Sequence, residues 1–133
     1  MKKVMIVDGM GGGIGRALIE KLSGASDLEI IAVGTNSIAT SAMIKAGAKH
    51  AATGENAVIF NAQHVDYIMG VLGIIAANSM HGEVSPKMAQ AVSSSPARKI
   101  LIPMDKCSIT VVGAQNKPLQ AHIEAAFKEL QNQ

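Results

Sequence analysis

Short runs of apolar residues, bounded by polar or glycine-rich turns, recur along the chain and predict buried β-strands. The run at residues 28–33 is apolar on both faces, which is typical of a parallel strand covered by helices on both sides. Only residues 104–107 separate the last two runs, too few for a parallel crossover, so an antiparallel hairpin at one edge of the sheet is predicted. The predicted strands are residues 4–7, 28–33, 65–69, 99–103 and 108–112.

Between these runs, apolar residues repeat at helical spacing and predict helices. Asn36 or Ser37 can cap the second helix, and Ser85 the fourth. The predicted helices are residues 16–22, 38–46, 55–62, 86–92 and 119–130. Alternating strands and helices predict an α/β fold, with an open, mostly parallel, Rossmann-like sheet of about five strands and helices on both faces.

Composition narrows the classes of partner. The 133 residues are enough for one domain, residues 1–133, and the formal net charge of +2 is spread without clusters. With aromatic residues at 2%, the chain lacks both the basic patch and the stacking platforms of a nucleic-acid-binding protein. No apolar stretch reaches the length of a membrane helix, and Cys107 is the single cysteine, so a soluble, cytoplasmic protein is expected. The apolar run at residues 74–80 predicts a homo-oligomer.

The strongest chemical signal is the glycine-rich turn between the first strand and the first helix. Five glycines stand within the seven positions 9–15. A strand that enters a helix through such a turn directs free backbone amides and the positive end of a helix dipole at one point, which favours an anion such as phosphate. The Walker pattern is excluded, because Arg16 and Ala17 stand where it requires lysine and a hydroxyl residue. The alternative interpretation is a turn that only packs the helix closely.

The spacing of Gly9, Gly13 and Gly15 fits the pattern G-x-x-x-G-I-G, and residues 9–22 resemble the cofactor loop and first helix of the short-chain dehydrogenases. That resemblance implies NAD or NADP as the ligand. The catalytic Tyr-x-x-x-Lys of those enzymes is missing, because Val71 stands four residues after Tyr67, the only tyrosine. Dehydrogenase chemistry of that kind is therefore excluded.

Asp8 departs from the family pattern, in which threonine usually precedes the glycines. A carboxylate about 5 Å from a phosphate charge opposes it by roughly 3 kcal/mol at an effective dielectric of about 20. Asp8 must therefore turn away, cap a loop amide, bind a metal ion or indicate a ligand other than pyrophosphate. The chain as a whole, including residues 34–36, 53–57, 77–80 and 100–103, is also similar to a small bacterial family of about this length and uncharacterised function. That resemblance implies a single compact domain.

These observations predict a protein that binds a phosphate-bearing nucleotide, with NAD or NADP first and a mononucleotide open. The end of the second strand and the end of the third are expected to border the same crevice. The candidate binding residues are Gly9, Met10, Gly11, Gly12, Gly13, Ile14, Gly15, Thr35, Asn36, Ser37, Gly70 and Leu72.

Two other functions remain open. One is an enzyme that acts on a small phosphorylated substrate through Glu55, Glu83 or Asn78, although both glutamates are also suited to helix N-termini. The other is an assembly protein whose glycine loop only packs. The four histidines lack metal-ligand spacing, so no metal site is predicted.

Overall fold

The computed structural model describes residues 1–104, 108–114 and 116–132. Among these residues, five strands form one sheet in the order β3-β2-β1-β4-β5, and every adjacent pair is parallel. The strands are β1 (Lys2–Asp8), β2 (Leu28–Gly34), β3 (His50–Thr53), β4 (Tyr67–Val71) and β5 (Arg98–Ile102). The helices are α1 (Gly13–Leu22), α2 (Ser37–Lys45), α3 (Glu55–Ala62), α4 (Pro86–Ser94) and α5 (Leu119–Gln131), and a 3-10 turn spans Leu72–Ile75.

β1 lies at the centre of the sheet, between β2 and β4, and helices cover it on both faces. Val4 and Ile6 pack into one cluster with α1, α2 and α5, whereas Met5 and Val7 pack into a second cluster with α3 and α4. All four side chains are at most 2% exposed. The α/β prediction, with a Rossmann-like sheet and helices on both faces, is confirmed, and the carboxyl end of β1 lies between β2 and β4, where ligands bind in such sheets.

The predicted antiparallel edge hairpin is wrong. β5 pairs in parallel with β4 and ends the sheet, and residues 108–112, predicted as a strand, form none within the described residues. The linker between the two apolar runs is too short for a parallel crossover, and the second run is mostly exposed to solvent. Cys107 lies outside the described residues.

One strand was not predicted, and another is shifted. The edge strand β3 has two alanines of weak β-propensity at its centre, and it forms by pairing Ala51 and Ala52 with the end of β2. The strand predicted at residues 65–69 is β4, which begins at Tyr67 and, as predicted, lies beside β1. The short helix predicted at residues 55–62 is α3.

The apolar run at residues 74–80, which was predicted to form an apolar surface, is exposed only in part, because Ala77 and Asn78 are exposed whereas Ile74 is buried. Ile74 is 1% exposed and packs in the core under α4. The exposed large apolar side chains of the described helices are instead Ile38, Ile44 and Phe60. Among the described residues, no helix combines the length and apolar character needed to cross a membrane.

Candidate functional site

The turn from β1 into α1 forms the floor of the candidate site. α1 begins at Gly13, and its N-cap, Gly12, adopts a left-handed conformation (φ +80°) without any side-chain cap. Leu18 and Leu22 are fully buried, so the helix is fixed against the sheet with its N-terminus beside the end of β1. A helix end without a side-chain cap leaves amides that need another partner.

Asp8 caps part of this turn from inside the protein. Its Oδ1 accepts a hydrogen bond from the Gly9 amide at 2.9 Å, and its Oδ2 accepts one from the Gly15 amide at 2.6 Å. The side chain is 4% exposed, and this burial raises the pKa of Asp8, whereas the hydrogen bonds from Gly15 and Gly9 lower it in part. Asp8 therefore caps loop amides, which is one of the four roles expected for it from the sequence.

Glu83 reaches the turn from a distant part of the chain. One of its carboxylate oxygens, Oε1, accepts hydrogen bonds from the Met10 amide at 2.8 Å, the Thr35 hydroxyl at 2.7 Å and Asn36 Nδ2 at 2.9 Å. The Met10 amide is the largest of the causes that lower the pKa of Glu83, followed by the Thr35 hydroxyl. Glu83 is therefore an anion held at the edge between β1 and β2.

Three loop amides keep no partner within the described residues. The amide of Gly12 donates to the Gly9 carbonyl at 3.0 Å, so four of the seven amides from Gly9 to Gly15 are engaged. The amides of Gly11, Gly13 and Ile14 make no hydrogen bond there. Internal carboxylates and a tight turn therefore already use the amides of Gly9, Met10, Gly12 and Gly15.

The glycines divide in the same way when the space around each is considered. A Cβ on Gly9 would lie 2.6 Å from the Thr35 hydroxyl, and one on Gly15 would lie 2.7 Å from Asp8 Cβ. At Gly12 a side chain is disfavoured by the positive φ and by α2, because a Cβ there would lie 3.0 Å from Ala39 Cα. At Gly11 and Gly13 a Cβ would meet nothing within 4 Å. Packing therefore explains three of these glycines and leaves two unexplained.

A cleft of about 930 Å³ opens over the two unexplained glycines. It lies on the side of β4 and β5, because Val71 ends β4 and Met104 follows β5. Its walls combine apolar side chains, among them three methionines, with polar groups from two loops. The lining residues are Asp8, Gly9, Met10, Gly11, Gly12, Gly13, Ile14, Val71, Asn78, Ser79, Met80, His81, Met104, Ser108 and Leu119.

One wall of the cleft belongs to a compact loop, residues 76–84, which is called the strap below. Its ends are joined by a hydrogen bond from the Asn78 amide to the Val84 carbonyl at 2.7 Å, and Ser79 Oγ donates to the Gly73 carbonyl at 2.6 Å. Met80 and His81 both have positive φ, 58° and 55°. Backbone strain of this kind is held by surrounding contacts and often occurs at functional sites.

The structure brings only part of the predicted site together. Gly9 to Ile14 line the cleft, whereas Gly15 is turned towards Asp8. Thr35 and Asn36 lie at the edge of β2 and bind Glu83, and the Asn36 side chain also caps α2 through the Ala39 amide, as one alternative predicted. The remaining predicted residues, Ser37, Gly70 and Leu72, do not line the cleft.

Gly70 is explained by packing, because a Cβ there would lie 2.6 Å from the Val7 carbonyl oxygen of the neighbouring strand. Of the three residues considered for catalysis, only Asn78 lines the cleft. Glu55 lies in the first turn of α3 and accepts a hydrogen bond from the Ser85 hydroxyl. Within the described residues, no group of three or more metal-ligating side chains lies close enough together to hold a metal ion.

Sequence reasoning missed most of the far wall, including Met80, His81, Met104, Ser108 and Leu119. These residues are distant from the glycine loop in sequence, and only the fold places them beside it. The run Asn78–Gly82 offered one usable signal, because Asn and Gly tolerate the positive φ values that a tight loop requires.

Solved structures share this fold at low sequence identity. A short-chain dehydrogenase/reductase of Veillonella parvula in complex with NADP has a TM-score of 0.50 and 17% identity, with 79% of this chain and 49% of that chain covered. A second short-chain dehydrogenase/reductase from the same organism has a TM-score of 0.53 and 16% identity, over 97% of this chain and 65% of that one. AibC has a TM-score of 0.54 and 16% identity, over 98% of this chain and 42% of that one.

The chain thus spans about half to two thirds of the length of these enzymes, and less than half of AibC. At such identity the likeness shows the Rossmann-like fold alone. A comparison with proteins of curated function found no match. A family model, described as a domain of unknown function (DUF3842), matches residues 3–133.

Proposed function

The chain belongs to the DUF3842 family, and we propose that it binds a phosphate-bearing nucleotide, as one domain over residues 1–133, with the phosphate at the N-terminus of α1. One observation supports this above the others. The amides of Gly11, Gly13 and Ile14, which have no partner among the described residues, belong to residues that line the cleft, and a Cβ on Gly11 or Gly13 would meet nothing within 4 Å. Free amides, a helix N-terminus and room for a ligand at one point favour an anion.

The composition of the cleft supports a nucleotide over inorganic phosphate alone. Met10, Met80 and Met104 offer flexible, polarizable surfaces against which a planar ring can pack. Asn78 and Ser79 supply hydrogen-bonding groups on the same wall. A mainly apolar cleft with a few polar groups is the usual form of a small-molecule site.

NAD and NADP are the first ligands to examine. The loop spacing resembles that of the short-chain dehydrogenases, and one enzyme of the same fold is in complex with NADP. Asp8 and Glu83 oppose a ligand with several negative charges, which weighs against the 2′-phosphate of NADP. Of the three residues that could act in catalysis, Glu55, Glu83 and Asn78, only Asn78 lines the cleft.

The direct test is a titration of ¹⁵N-labelled protein with AMP, NAD⁺, NADP⁺ and inorganic phosphate, followed by amide chemical shifts. We expect the largest shifts at Gly11, Gly13 and Ile14, because these amides gain a hydrogen bond to phosphate. Gly24 is a matched internal reference, because a Cβ there would also meet nothing within 4 Å, but it lies after α1 and away from the cleft. Shifts of equal size at Gly24, or none at millimolar ligand, would leave the loop with a packing role only.

Self-association is a separate proposal. Ile38 and Ile44 on α2 are 69% and 51% exposed, and Phe60 on α3 is 58% exposed, which is unfavourable for large apolar side chains in water. Sedimentation-velocity measurements on the full chain test whether it forms a homo-oligomer. A single species at 13.8 kDa across the concentration range would contradict this proposal.

A further inference from the structure

The cleft and the Glu83 contacts meet at the glycine loop, but the Glu83 contacts reach the end of β2, which does not line the cleft. Glu83 Oε1 accepts hydrogen bonds from the Thr35 and Asn36 side chains at the end of β2 and from the Met10 amide. The Met10 carbonyl accepts a further hydrogen bond from Asn36 Nδ2 at 3.0 Å. The amide and the carbonyl of Met10 are therefore both held at the β2 edge, and among the described residues none of 28–37 lines the cleft.

The strap reaches both the cleft and the end of β2, because Met80 lines the cleft whereas Glu83 bonds Thr35 and Asn36. A Cβ on Gly9 would lie 2.7 Å from Met80 Sδ and 3.0 Å from Glu83 Oε1, so these two strap side chains pack directly on the Gly9 backbone. In a doubly wound sheet a dinucleotide crosses the switch point, with its pyrophosphate on the glycine loop and one ribose read at the end of the second strand. Here that strand end is occupied by a carboxylate of the protein.

We infer that Glu83 is a specificity-determining residue, which closes the β2 side of the loop against the adenosine half of a dinucleotide and leaves the β4–β5 cleft to a mononucleotide. This inference rests on the proposed function. A ligand with one phosphate reaches the free amides of Gly11, Gly13 and Ile14 from the cleft without disturbing any contact of Glu83. A dinucleotide has to displace the carboxylate from three donors before its second half is accommodated.

Charge acts in the same direction as shape. The carboxylate of Glu83 is stabilised as an anion by the donors around Oε1, and a second phosphate or a ribose phosphate placed beside it is repelled. Discrimination therefore has an attractive part, the amides that face the cleft, and a repulsive part, the carboxylate at the β2 edge.

The experiment compares one dinucleotide with its own two halves. Isothermal titration calorimetry gives Kd for NAD⁺, AMP and nicotinamide mononucleotide with the wild-type chain and with Glu83→Ala, Glu83→Gln and Glu55→Ala. We expect the better of the two halves to bind wild type about tenfold more tightly than NAD⁺, and we expect Glu83→Ala to remove most of that ratio. Glu83→Gln keeps an acceptor without the charge, so its ratio should be intermediate. Glu55→Ala removes a carboxylate that bonds Ser85 outside the cleft and should keep the wild-type ratio.

The outcomes separate this inference from the function on which it rests. If wild type binds NAD⁺ more tightly than either half, the inference is overturned while the proposed function stands. The same follows if Glu83→Ala has a native circular dichroism spectrum and an unchanged ratio of the Kd for NAD⁺ to the Kd for the better half. Loss of NAD⁺ affinity in Glu83→Ala shows that Glu83 contacts the ribose, which also overturns it. If Glu83→Ala does not fold, Glu83→Gln decides in its place. If no nucleotide binds and phosphate shifts no loop amide, the proposed function fails and the inference with it.

Discussion

The two kinds of glycine in the loop should respond oppositely to the same added methyl group. Gly13 and Gly15 both lie in the first turn of α1, two residues apart, and neither has a positive φ. A Cβ at Gly13 meets nothing within 4 Å, whereas a Cβ at Gly15 lies 2.7 Å from Asp8 Cβ and 2.7 Å from Met43 Sδ. The variants Gly13→Ala and Gly15→Ala therefore differ in surroundings but hardly in position along the helix.

The magnitudes follow from this geometry. Ala in place of Gly in a helix stabilises by about 0.5–1 kcal/mol where space allows. At Gly15 the overpacking costs roughly 1–3 kcal/mol, because Asp8 is held by two amides and cannot move aside easily, although the Met43 sulfur can shift. For a chain of this length about 1 kcal/mol corresponds to roughly 4 °C in Tm. Gly13→Ala should thus raise Tm by about 2–4 °C, whereas the overpacking in Gly15→Ala should lower it by about 4–12 °C.

Nucleotide binding should be weakened by Gly13→Ala, although this variant stabilises the fold. An extra methyl group at Gly13 lies beside the free amides, so it should keep a phosphate from approaching and weaken nucleotide binding about tenfold or more. Differential scanning fluorimetry with and without AMP gives both quantities in one assay, because a ligand that binds only the folded state raises Tm. Gly24→Ala, in an open position after α1, is the control and should leave the ligand-induced shift unchanged.

Two results would refute the reasoning. If Gly13→Ala destabilises the chain as much as Gly15→Ala does, the space at Gly13 is not open and its glycine serves packing. If Gly13→Ala is stable and still shows the full shift with AMP, the amides of the first turn do not hold the phosphate. In either case the cleft would need a different explanation.

Three further substitutions test the contacts around the loop. The folded-state pKa of Glu83 lies below its ordinary value of 4.5, so the carboxylate contributes to stability above pH 4.5 and this contribution is lost as the pH falls through the folded pKa. In urea unfolding, the stability advantage of wild type over Glu83→Gln should therefore shrink below about pH 4.5. The pKa of Asp8 is raised above 3.8 in the folded state, so ionisation of this carboxyl destabilises the fold as the pH rises. The free energy of unfolding of wild type relative to Asp8→Asn should therefore fall as the pH rises from 3.8 through the folded pKa. A rise of this difference with pH would contradict the burial argument. Ser85→Ala removes the hydroxyl that accepts the Met88 amide at the start of α4, and should cost about 1 kcal/mol, measured by the urea midpoint, with no effect on AMP binding.

Much of the fold follows from local sequence. The strand, glycine turn and helix at residues 4–22 were predicted because apolar periodicity and glycine act within a few residues. The same holds for α3, which follows the break at Thr53 and Gly54, and for the cap of α4 at Ser85. The edge strand β3 was missed because its pairing with β2, and not its own composition, makes it a strand. The hairpin was wrong for the converse reason, since apolar residues at 108–112 imply a strand only if a partner is in reach.

The sequence by itself determined that amides and a helix dipole meet at the carboxyl end of the central strand, because that depends on neighbouring residues. Only the tertiary structure decided which amides stay available. Asp8 acts on Gly15 across one turn, but Glu83 reaches Thr35 over 48 residues, and no local pattern encodes that contact. The same long-range packing decides that Gly9 and Gly15 are filled by neighbours while Gly11 and Gly13 face open space. Backbone conformation is set by adjacent residues, whereas the space around a residue is set by whatever the fold places beside it.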